Sequence, residues 1–249
     1  MNRITSIRLG LVSAVILCIE LLCRTGVINK RVLNAPSDMV LKLCEMFAQG
    51  LVTADLFDTL SNVFTALILS VIGGFLLGSA LHGQTRLRKA LEPFLASYYA
   101  LPFFAFYPVL IVLLGVGRTP IVAIGFLFGV VAMLIATLNG FDRIPQVLNK
   151  TARLYHMGPF RVAIKIKLPY AMPYIFTGVK LALAYAFIGV IAAEFIFASS
   201  GLGYSIAYAF TTFDNRTMYA LMLLVIILVS AVNGTVHVWE QAFLARRGK

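Results

Sequence analysis

The chain has 249 residues, 60% of them hydrophobic and only 12% charged, with a formal net charge of +11 and a mean hydropathy of +0.91. Soluble domains are nearer half apolar and a quarter charged, so this chain has too few polar side chains to cover a water-facing surface; it reads as an all-α polytopic membrane protein. Its Lys and Arg form no single patch, which argues against nucleic acid as the partner, and fall instead in the gaps between apolar runs, where topology signals belong.

A helix needs about 20 apolar residues to cross the hydrocarbon core. Six stretches qualify, at about 8–24, 59–81, 93–115, 119–139, 173–198 and 216–238. Arg3 and Arg8 ahead of the first resemble the start of a signal peptide, but Glu20 and Leu22-Cys23-Arg24 supply no small-residue cleavage site, so an uncleaved span is expected. After it, Pro36-Ser37 opens a short helix with Ser37 as its expected cap. Met39, Val40, Leu43, Met46 and Phe47 then recur at three-and-four spacing, as a helix lying on the outer surface requires. Pro102 and Pro108 predict a kink in the third span. Cys18, Cys23 and Cys44 give neither a disulfide framework nor a metal-ligand spacing.

With the amino terminus in the cytoplasm, 15 of the 21 Lys and Arg fall on the inner side, including Arg86, Arg88 and Lys89 after the second span and six between Arg143 and Lys167. That excess predicts both termini inside and segment 140–172 on the cytosolic face. Within it, Pro145 can open a helix, Val147, Leu148, Thr151, Ala152, Leu154 and Tyr155 supply contacts, and Gly158-Pro159 breaks the run before a second basic stretch enters the fifth span. On physics alone such an element either docks a cytosolic partner or lies on lipid headgroups.

Chemistry-bearing motifs are missing from the sequence. There is no Gly-x4-Gly-Lys-Ser/Thr phosphate loop, no His-Glu-x-x-His and no carboxylate cluster, and His82, His156 and His237 are far apart. No catalytic or metal residues are assigned, no cofactor is expected on this chain, and a membrane-embedded enzyme is the weakest alternative. A stand-alone secondary transporter, the other alternative, would show inverted repeats or coupling charges near the midplane, and neither stands out.

The segment ending Ile166-Lys167-Leu168-Pro169 resembles the cytosolic loop of binding-protein-dependent ABC transporter permeases, whose pattern is Glu-Ala-Ala, three residues, Gly, nine residues, Ile-x-Leu-Pro. Aligned without gaps, Lys150-Thr151-Ala152 falls at Glu-Ala-Ala and His156 at the Gly, with Gly158 read as the displaced glycine. Leu168 to Lys180, Gly189 to Glu194 with Gly201-Leu202-Gly203-Tyr204, and Leu101-Pro102 with Gly115-Val116-Gly117 resemble the branch handling nitrate, taurine and aliphatic sulfonates. The resemblance implies a type I importer permease with about six transmembrane helices, one domain over 1–249, in a bacterial inner membrane. It further implies a homodimer, two ATP-binding cassette subunits carrying ATP-Mg, and an extracytoplasmic binding protein. On that reading Ala152, Arg153, Leu154, Tyr155, His156, Met157 and Gly158 contact the ATPase. Pro102, Phe103 and Glu194 are candidates for the translocation path, with Glu194 also readable as a gate, a structural pair or an interfacial charge.

Overall fold

The computed structural model describes residues 3–29 and 32–247; Lys30, Arg31 and Lys249 of the charge tally lie outside them. Among the described residues the chain is helical throughout, without strands. Contacts group the helices into two units, one of Met1–Asp58 with Glu194–Leu228, the other of Thr59–Ala193 with Val229–Lys249.

In the first unit, α1 (Arg3–Arg24) is followed by the amphipathic α2 (Pro36–Ala48). Pro36 starts α2, where its missing N–H costs nothing, and Ala35 is the extended residue before it. Ser37, the expected cap, instead donates its hydroxyl and its backbone N–H to Glu20 of α1, at 2.7 and 3.1 Å, while Arg24 donates to the same carboxylate at 2.6 Å. A carboxylate from a neighbouring helix thus satisfies the first turn of α2. The core joins Leu43 and Met46 of α2 to Leu202 and Ile206 of α10 (Leu202–Thr211) and to Met218, Leu221 and Leu224 of α11 (Asn215–Arg247).

The second unit is built round α6 (Arg118–Asp142). The most apolar stretch of α6 is 72% buried, against 11% for that of α11, so α6 is the central span and α11 a peripheral one. It approaches its neighbours through Gly129: a β-carbon there would come within 2.6 Å of the Ser70 hydroxyl on α3 (Thr53–His82) and 3.0 Å of the Ala182 carbonyl on α9 (Leu168–Phe197). Small residues at such contacts let helix backbones close up where lipid supplies no hydrophobic drive.

The third predicted span is broken rather than kinked. α4 (Thr85–Ser97) runs into a 3-10 turn at Tyr98–Ala100, the chain breaks at Leu101-Pro102, and a second 3-10 turn, Phe103–Phe106, leads into α5 (Tyr107–Leu114). The two halves meet at 92°. The neighbouring contacts decide whether this pair crosses the membrane. Arg118 at the start of α6 donates to Ser61 and Thr65 of α3, at 2.6 and 2.9 Å, while His82 at the end of α3 and Arg88 in α4 both meet Asp142 at the end of α6. α3 and α6 therefore run in the same direction, and the chain between them must return across the membrane. The bent pair is a broken span, which with α3, α6, α9 and α11 gives five crossings among the described residues, and the first of the six expected spans, 8–24, falls within α1.

Candidate functional site

Between α6 and α9 lies α7 (Gln146–Leu154), a turn, α8 (Pro159–Val162) and a π-helical stretch, Ala163–Lys167, continuous with α9. The expected helix, sharp turn and helix feeding the next span are all present. α7 is strongly two-faced because Ile144, Leu148 and Ala152 recur every four residues. Ile144 and Leu148 pack with Phe141, Ala171 and Phe75, and Ala152 is 4% exposed. Across the opposite face and the turn, Val147, Leu154, Tyr155 and Phe160 are 70–78% exposed, interleaved with exposed Lys150, Arg153 and Arg161.

The turn is closed by a pair of backbone bonds, His156 N–H to the Arg153 carbonyl at 3.0 Å and Met157 N–H to the Ala152 carbonyl at 2.9 Å. This is the Schellman arrangement, in which the residue after the cap takes the left-handed conformation usually held by glycine. That residue is His156, with φ +48°. It is the position where the resembled pattern has its Gly, so the glycine is not displaced to Gly158, whose φ is −63°. A non-glycine residue in this conformation costs about 1–2 kcal/mol.

Of the expected contact residues, Arg153, Leu154, Tyr155, His156 and Gly158 are exposed and Met157 is half-buried. Ala152 is only 4% exposed, because the helical period turns it inward beneath α7.

The residues proposed for a translocation path are placed differently. Glu194 is fully buried in the first unit and accepts the Gly203 N–H at 3.2 Å, while Asp55 accepts the Gly201 N–H at 3.0 Å and the Ser205 hydroxyl. Two carboxylates thus cap the amino terminus of α10, where the helix dipole favours negative charge. Gly201 has φ +100°, and a β-carbon on it would come 2.6 Å from the Glu194 carboxylate. In the second unit Phe103 is 4% exposed and packs with Tyr98, Val130 and Val131, while Pro102 is exposed at the elbow. Tyr98 donates to the Leu127 carbonyl at 2.8 Å, pinning the elbow to α6.

Beside the elbow, in the same unit, is an open cavity of about 190 Å³ between α6 and α9. Tyr99, Asn139, Tyr174, Thr177 and Tyr185 give it polar tips, and Tyr99 and Tyr185 stack with ring centroids 4.6 Å apart. None of these five side chains is assigned a role from sequence. Asn139 and Thr177 in apolar helices were the legible signal, and only the fold brings them together.

Residues 60–249 match the family described as the binding-protein-dependent transport system inner membrane component. The chain belongs to that family. A protein of Brucella melitensis named as a probable ABC transporter permease is 28% identical over 84% of this chain and 83% of its own length. The glycine betaine/proline betaine transport system permease of Escherichia coli is 32% identical over 58% of this chain and 41% of its own. A nitrate import permease of Synechococcus elongatus is 27% identical over 59% and 53%. Among solved structures, a methionine ABC transporter in inward-facing conformations superposes with a TM-score of 0.65 at 17% identity, covering 76% of this chain and 94% of that one, which shows the fold. This permease is therefore an inner-membrane transport component of an ABC importer. Its family is one of transport components.

Proposed function

We propose that two copies of this permease form the translocation pore, and that two cytosolic ATP-binding cassette subunits, which hold ATP-Mg and hydrolyse it, dock on the loop 147–160. An extracytoplasmic binding protein delivers the cargo, and both chain termini lie in the cytoplasm. The observation carrying this reading is the outward row of Val147, Leu154, Tyr155 and Phe160 on a rigid turn flanked by Arg and Lys. Large side chains exposed in this way are suited to a partner's groove, and the cations beside them to its acidic rim. ATP closure then draws the two loops together and rocks the spans between inward-open and outward-open states, shifting the equilibrium through its differential affinity for the two. Relatives named for betaines and for nitrate share the family; the binding protein is accordingly the main selector of cargo.

The test is co-purification and ATP hydrolysis in the reconstituted complex. Leu154→Asp and Tyr155→Asp are expected to lose the ATPase subunits and at least about tenfold of substrate-stimulated hydrolysis, since central apolar anchors carry about 2 kcal/mol or more each. Normal stoichiometry and hydrolysis in both variants would overturn the docking assignment.

A further inference from the structure

The cavity beside the elbow has a chemistry of its own. It is bounded by α6 and α9 in their Asp142-side halves: Asn139 is three residues from the end of α6 and Thr177 nine into α9, placing it within about 15 Å of that end. None of the described residues lining it carries a formal charge. A second cavity shares Ile135 and Asn139 with it and continues to Arg88 and Glu92. Asn139 thus stands at the border of an uncharged aromatic cavity and a charged one.

We propose that this compartment is a station on the translocation path that accepts a flat, uncharged ring with hydrogen-bonding edges, such as an aromatic amide or a nitrogen heterocycle. The inference rests on the permease reading and adds a substrate class to it. The stacked Tyr99–Tyr185 pair, tilted by only 18°, presents an extended aromatic wall of the kind a planar ring stacks on. The Asn139 carboxamide, exposed and with no hydrogen bond inside the described chain, offers both a donor and an acceptor to a ring edge. No cation lines the cavity, the nearby Arg143 being held over the Tyr174 ring, so an inorganic anion would lose its hydration with little replacement. A quaternary ammonium needs a cage of free aromatic faces. Here the Arg143 guanidinium already sits 5.5 Å from the Tyr174 ring centre, where it would repel a second cation.

The experiment uses the full permease with its ATPase subunits in lipid nanodiscs and reads saturation-transfer NMR from nicotinamide, benzamide and cytosine, with empty nanodiscs subtracted. Transfer to ring protons is expected for at least one of the three, undisturbed by equal concentrations of nitrate, ethanesulfonate or choline. It should weaken about tenfold or more in Tyr185→Ala and in Asn139→Leu, and partly in Tyr185→Phe, which keeps the stack. No transfer from any ring, displacement by any of the three ions, or full transfer in variants whose thermal unfolding matches wild type would overturn the proposal. Co-purification of the ATPase subunits with the wild type is scored separately, so a failure of the permease reading is distinguishable from a failure of the ring assignment.

Discussion

Gly201 shows how a single position is fixed by its surroundings. Its left-handed φ, and the Glu194 carboxylate 2.6 Å from where a β-carbon would stand, leave no room for a methyl group. Gly201→Ala is expected to lower the thermal stability of the purified protein by about 2–3 kcal/mol, from strain and overpacking together. Glu194→Ala should cost a similar amount, because the Gly203 N–H loses a charged acceptor and a void remains. Both are measurable by unfolding in detergent. Asp214, ahead of α11, supplies a pH dependence. Burial alone would raise its pKa, but hydrogen bonds from the Thr217 side chain and backbone, with Lys42 nearby, hold it below the usual 3.8. A carboxyl depressed in the fold contributes stability that is complete above its unfolded pKa and is lost as pH falls through the folded value. Unfolding temperature is therefore expected to fall between about pH 5 and pH 3, less steeply in Asp214→Asn.

Among the elements, those with a strong period were legible and those decided by packing were not. Spans 119–139 and 173–198 correspond to α6 and α9, because long apolar runs have few alternatives in a membrane. α2 was readable from its three-and-four spacing, but its cap was not, since the Glu20 acceptor comes from another helix. The prolines at 102 and 108 announced a disturbance. A full break at Leu101-Pro102 also depends on Phe103 burying itself against Val130 and Val131 and on Tyr98 bonding to Leu127, contacts between residues 27 or more apart. Phe103→Ala is expected to cost about 3–5 kcal/mol and to loosen the elbow, seen as faster amide exchange across residues 98–106. α7 follows its hydrophobic pattern, and Ala152 lies on its inner face. Small size at one position does not say whether a residue admits a partner or fits beneath its own helix. Ala152→Glu would force a charge under α7 and is expected to unseat the loop, with proteolytic cleavage near Tyr155 as the readout.

At the scale of the molecule, the shared direction of α3 and α6 requires a return crossing between them, and the distribution of Lys and Arg sets the expected orientation. Tyr155→Cys is expected to react with a membrane-impermeant maleimide only after cells are opened, and the exposed Cys44 of α2 to react in intact spheroplasts. Reaction of both from the same side would reverse that orientation. The left-handed knuckle at His156 bears on how force crosses the membrane. A glycine there would leave the idle loop many shapes to explore, all of which must be frozen whenever an engine takes hold. A residue with a β-carbon has surrendered most of that freedom beforehand, at a one-time cost in strain. On the docking proposed above, the handle would be stiff before it is gripped, and a push delivered at Tyr155 would pass along the helix Pro159–Phe197 instead of being absorbed by a slack joint.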